Sequence, residues 1–156
     1  MRAFTLVEIM VVVTIIALLA AVGIPYIVHA KQVSRANILA NDLRTISQWF
    51  INYTQQEAIY PPDSGTKEIP VGMETYVTSK WLEPTAIGGC YNYEFEKTAQ
   101  GTQYKVGIGI RDDGTNLVTT DVGLLTTVDR LIDDGDLTTG SFLLGPGNSP
   151  FYVVER

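Results

Sequence analysis

The sequence predicts an α+β protein: a long N-terminal α-helix, membrane-spanning in its first half and amphipathic in its second, packed on a small head with an antiparallel β-sheet. Three observations predict it. Ile9–Val28 is a run without a charged residue. After Lys31 the apolar residues settle onto one helical stripe. Beyond Pro61-Pro62 the chain breaks into short apolar runs punctuated by Gly, Pro and Asn, the texture of strands and turns. A chain of 156 residues is long enough for one core of ordinary size.

The first run, IMVVVTIIALLAAVGIPYIV, would be about 30 Å long as a helix, the thickness of the hydrocarbon core of a bilayer. It is longer than the apolar region of a secretory signal, and a core helix apolar all round would need a larger body about it. Glu8 stands at its edge, where an ionised carboxylate is costly unless it meets a cation or water. Pro25, two residues after Gly23, removes a backbone donor and crowds the carbonyl of Ala21, so the helix is expected to loosen between Gly23 and Pro25. Arg2 lies on one flank and Lys31, Arg35 and Arg44 on the other, which leaves the orientation open by charge counting.

From Lys31 onward Ala36, Leu39, Leu43, Ile46, Phe50 and Tyr53 recur at alternating intervals of three and four. With no Gly or Pro from Lys31 to Ile59, one helix is expected from Phe4 to about Ala58, ended by Pro61-Pro62. Trp49, Phe50 and Tyr53 read as core against a head. Within that head Gly72–Leu82 suits a short helix, and Cys90–Lys97 with Gln103–Arg111 reads as an antiparallel hairpin turned at Gln100-Gly101. Val118–Ile132 reads as a helix capped by Thr119-Thr120-Asp121. Ser141–Leu144 and Phe151–Val154 read as edge strands. Gly107-Ile108-Gly109 lacks the third glycine of a dinucleotide fingerprint and reads as a strand packed closely against the long helix.

Eleven Lys and Arg against seventeen Asp and Glu give a net charge of −6, unsuited to phosphate neutralisation, so nucleic acid is not expected as the main partner. One cysteine, Cys90, excludes an intrachain disulfide and any Cys-cluster metal site, and one histidine, His29, leaves no His-based catalytic constellation. Cys90 in an apolar strand reads as an inert thiol. Residues 112–136 hold seven Asp and one Arg, a local charge equal to that of the whole chain. Within them Asp133, Asp134 and Asp136 resemble an oxygen-rich Ca²⁺ loop without the full EF-hand spacing; the other reading is a solvated acidic surface with capping and turn roles. No other cofactor is expected, nothing organises a catalytic pocket, and the chain is not expected to be an enzyme.

Phe4-Thr5-Leu6-Val7-Glu8, followed at once by the apolar run, resembles the cleavage and methylation signature of type IV prepilins and pseudopilins, and Pro25 falls at the family's helix-loosening proline. The resemblance implies cutting between Ala3 and Phe4 by a prepilin peptidase, with Ala3 where the family usually has glycine, and N-methylation of Phe4. It also implies a short leader (1–3), a long helix (4–59, of which 4–30 is membrane span and then filament core) and an α+β head (60–156). Tyr60-Pro61-Pro62, Trp81-Leu82-Glu83-Pro84 and Gly88-Gly89-Cys90-Tyr91-Asn92-Tyr93 are similar to the heads of pilins close to major pseudopilins. The implied function is that of a structural, major-pilin-like subunit of an extracellular type IV pilus-like filament. The implied partners are copies of itself, the bilayer before assembly and the inner-membrane assembly machinery, with Phe4, Glu8, Gly23 and Pro25 as assembly residues. The alternative within the family is the major pseudopilin of a type II secretion system, in a periplasmic pseudopilus. A membrane-anchored binding module, recognising a basic partner through its acidic surface, is the reading from a different class.

Overall fold

The computed structural model describes residues 5–156. Its elements are α1 (Leu6–Glu57), a 3-10 turn (Ser79–Leu82), β1 (Cys90–Ala99), β2 (Thr102–Arg111), α2 (Val122–Ile132), β3 (Phe142–Leu144) and β4 (Pro150–Glu155). The chain divides into two compact units, Met1–Ser34 and Arg35–Arg156, and α1 contributes to both.

In the first unit α1 is apolar on every side. Its side chains are exposed from Leu6 to Val28 apart from half-buried Gly23, and an 18-residue window reaches a mean hydropathy of 2.7. Length and composition make it a candidate membrane anchor. The helix passes Gly23-Ile24-Pro25 without interruption, although the proline removes one backbone hydrogen bond.

The second unit is an α+β head. The expected stripe is its foundation: Ala36, Leu39, Leu43, Ile46, Phe50 and Tyr53 are all buried. They share one core with Tyr91 and Tyr93 of β1, Val106, Ile108 and Ile110 of β2, and Leu124, Leu125 and Val128 of α2. Each fully buried side chain of this size is worth about 1.5–3 kcal/mol, so the stripe holds this part of α1 on the head. Aromatic rings knit the centre: Phe50 stacks on Tyr93 at 4.5 Å between centroids and meets Trp81 edge-on at 5.5 Å. Trp81 satisfies its indole N–H on the carbonyl of Glu68 at 2.8 Å.

The four strands form one antiparallel sheet in the order β1-β2-β4-β3. The expected hairpin is present, with Cys90 opposite Arg111 and Ala99 opposite Thr102. Three expectations are corrected. Gly72–Leu82 contains only the 3-10 turn, because Pro70 and Gly72 start a series of tight turns rather than a helix. The C-terminal strand β4 lies between β2 and β3 rather than at an edge, since its Phe151 and Val153 pair opposite Gly109 and Gly107. The two glycines of β2 do not mediate packing on α1; Val106, Ile108 and Ile110 do that, while Gly107 lies under the ring of Phe151. Phe151 belongs to a second cluster with Ala99, Tyr104, Leu143 and Val153.

Candidate functional site

The N-terminal end of α1 is a built helix start. Thr5 precedes the first helical residue, and its Oγ1 accepts the backbone N–H of Glu8 at 3.3 Å. Thr5-Leu6-Val7-Glu8 thus has the pattern of a capping box, in which the hydroxyl satisfies an amide that has no partner within the helix. Glu8 falls in the first turn, where a carboxylate complements the positive end of the helix dipole. Its side chain is exposed among exposed apolar neighbours, and it forms no ion pair among the described residues. Thr5 was missed as a functional residue, although a Thr three positions before a Glu at the edge of an apolar run is a readable signal. Ala3 and Phe4, the expected processing residues, lie outside the described residues.

Two of the cations counted as flanking the apolar run belong to the head. Arg35 donates from Nε to the carbonyl of Ala86 at 2.7 Å, and Arg44 donates to the carbonyl of Leu131. Both tie α1 to loop or helix-end carbonyls of its own unit, so Lys31 is the cation nearest the end of the run.

The acidic residues do not gather at one point. Asp113 accepts the amides of Thr115 and Asn116, the Asn116 side chain and the thiol of Cys90, contacts that hold its carboxyl well below the usual carboxylate range. Asp121 caps α2 through the amide of Leu124 at 3.2 Å. Asp133 accepts the amide of Ser141, Asp134 the amide of Asp136 and the hydroxyl of Thr139, and Asp136 the amide and hydroxyl of Thr138, which holds its carboxyl low. Among the described residues no group of three or more His, Cys, Asp or Glu is placed to hold a metal ion. Asp129 differs. It is fully buried on α2, and the Gly135 amide beside it is too poorly placed to make a full hydrogen bond to either carboxylate oxygen. Burial, then the charges of Asp134 and Asp133, push its carboxyl up to about 6. Cys90 is buried, and burial pushes its thiol up, the opposite of an activated nucleophile.

Residues 1–24 match the family model of the prokaryotic N-terminal methylation motif. The chain carries the type IV pilin and pseudopilin signature. No curated protein matches the chain at a significant level. The signature is that of a pilin-like or pseudopilin precursor, processed by a prepilin peptidase and inserted in the membrane, and the long apolar start of α1 fits it. The signature fits a structural protein. In this frame Glu8 is the one charged side chain from Leu6 to Ala30, held in the first turn of the helix by the Thr5 cap.

Proposed function

We propose that this protein is a structural subunit, major-pilin-like, of an extracellular type IV pilus-like helical filament. The observation that carries the reading is the Glu8 carboxylate at the capped start of the exposed apolar stretch of α1, within the pilin signature. Before assembly the apolar helix lies in the cytoplasmic membrane; the assembly machinery then moves subunits into a filament whose core is built from these helices. The exchange replaces lipid contacts by helix contacts and so costs little hydrophobic free energy.

Register comes from charge. Cleavage before Phe4 leaves an ammonium there, and the Glu8 carboxylate of a neighbouring subunit neutralises it. Either charge alone is costly in apolar surroundings, so a subunit out of register is penalised by an unpaired ion. The turn at Gly23 to Pro25, short of one backbone hydrogen bond, lets the helix adjust to the filament.

Cells lacking the native subunit test this when they are complemented with Glu8→Gln or Glu8→Ala and sheared material is viewed by electron microscopy. The parent gives abundant long fibres; both variants insert in the membrane and give few or none. Normal fibre yield from both variants would overturn the role of Glu8, and an absence of long fibres from the parent would leave the short periplasmic pseudopilus of a secretion system as the reading.

A further inference from the structure

The face of the sheet turned away from α1 carries a polar cleft that the core does not account for. On β1, Tyr91 and Tyr93 enter the main core, so Asn92 and Glu94 project to the other side; on β2, Val106, Ile108 and Ile110 enter it, which leaves Gly107, Gly109 and Arg111 on that side. Glu94 is 5% exposed. Its Oε1 accepts Nη2 of Arg111 at 2.6 Å, Nε of Arg111 at 3.1 Å and the side-chain amide of Asn92 at 3.0 Å. Gly109 makes room for this group, since a Cβ there would fall 2.8 Å from Glu94 Oε1. Beside it Lys97 reaches Asp63, in the loop that follows α1, at 2.8 Å.

These side chains, with the hydroxyls of Thr66 and Thr98, line a cleft of about 430 Å³. That is within the range of small-molecule sites, about 300–1,000 Å³. Its floor does little for stability. A buried ion pair is often no better for a fold than apolar residues of the same volume, and the side-chain oxygen of Asn92 is buried with no hydrogen-bond partner among the described residues. What the arrangement supplies is a fixed set of polar groups. Arg111 faces Glu94 and Lys97 faces Asp63, so the charges of the cleft sum to zero.

The geometry points to a neutral polyhydroxylated ligand, a single sugar ring, held in this cleft. An anion would compete with Glu94 and Asp63 for their partners, and a cation with Arg111 and Lys97; a hydroxyl displaces neither. Each sugar hydroxyl both donates and accepts, which suits carboxylate acceptors set beside ammonium, guanidinium and threonine groups. Hydrogen bonds to charged groups are the stronger kind, about 1.5–3 kcal/mol each. The ion pairs hold their side chains in place before the ligand arrives, so little rotamer freedom is lost on binding. An apolar ligand finds no wall to meet, because none of the lining residues is apolar. The site lies wholly within the 35–156 unit and depends neither on the membrane nor on a filament.

The test is amide NMR of the full chain, in micelles of a detergent without a sugar headgroup, titrated with glucose, galactose, mannose and N-acetylglucosamine. At least one of them is expected to bind with a Kd of about 1 mM. It should shift amides of β1, β2 and the 63–67 loop and leave those of α2 in place. Added salt should change the affinity little. Glucuronate and glucosamine, which carry a charge, should bind about tenfold more weakly than the neutral sugar. Lys97→Met keeps the stem and removes the donor, and Glu94→Gln keeps the shape and removes the charge; each should weaken binding about tenfold. Lys97 is half-exposed, so its variant keeps the test open if Glu94→Gln does not fold. No shift with any of these sugars up to about 100 mM would show a cleft that holds water alone, and would overturn the inference. Tighter binding of glucuronate or glucosamine than of every neutral sugar would overturn it also, as would parent-like binding by Lys97→Met together with a folded Glu94→Gln.

Discussion

Gly107 of β2 lies directly beneath Phe151 of β4: a Cβ at position 107 would fall 2.0 Å from Cζ of the ring. Gly107 pairs opposite Val153, next to a register shift between Val106 and Gly107, and the missing side chain leaves room for the Phe151 ring. Phe151 is 1% exposed and anchors the second hydrophobic cluster. Gly107→Ala is therefore expected to destabilise the full chain in detergent by about 1–3 kcal/mol through overpacking. Adding Phe151→Leu should recover part of the loss. Chemical denaturation measures it, and an unchanged midpoint for Gly107→Ala would show that the ring moves aside freely.

The proposed processed residue is Phe4, from the Phe4–Glu8 motif. Mass spectrometry of protein purified from membranes of cells containing the prepilin peptidase should give a mature N-terminus at Phe4, methylated on its amine. Protein from peptidase-deficient cells should keep Met1. Intact Met1 in both would remove the Phe4 ammonium from the assembly mechanism.

Asp129 sets a pH dependence of unusual sign. Burial raises its carboxyl from the ordinary value to about 6 in the folded head, so between about pH 4 and pH 6 the folded state binds more protons than the unfolded one. Stability is then greatest below the unfolded value and is lost as pH rises through about 6, by on the order of 2–3 kcal/mol across the window. Asp129→Asn should flatten that part of the profile and stabilise the head at pH 7, where the parent holds a buried, poorly compensated charge. Denaturation of both proteins at pH 4.5, 6 and 7.5 checks it (values chosen to bracket about 6). Parallel profiles would show that the carboxylate finds a cation or water in solution.

For the acidic loop the expected outcome is insensitivity to calcium. Asp133, Asp134 and Asp136 each accept a backbone amide from their own turn, the role of capping and turn residues. EDTA should leave the melting temperature of the full chain in detergent unchanged. A Ca²⁺ site filled at a hundredfold excess over Kd would add about 2.7 kcal/mol, a rise on the order of 10 °C for a head of this size. A rise of that kind with Ca²⁺ but not Mg²⁺, lost in Asp134→Ala, would overturn this reading.

Much of the protein is determined by sequence alone, because its strongest signals are local. A run of apolar residues long enough for a bilayer and the three-four spacing from Ala36 to Tyr53 each lie within one helix, where periodicity translates directly into a face, and the Phe4–Glu8 motif is five contiguous residues. The β1–β2 hairpin is equally local, since one turn sets its register. What tertiary structure decided are the relations between residues far apart in the chain. Sequence spacing could not show that β4 inserts between β2 and β3, that Gly107 makes room for Phe151 rather than for α1, or that Arg35 and Arg44 serve carbonyls 51 and 87 residues away. Nor could it single out Asp129 from the other aspartates around it. Its neighbours read as a solvated acidic surface, a helix cap or a Ca²⁺ loop, and only the packing of α2 on the core turns Asp129 inward, away from water.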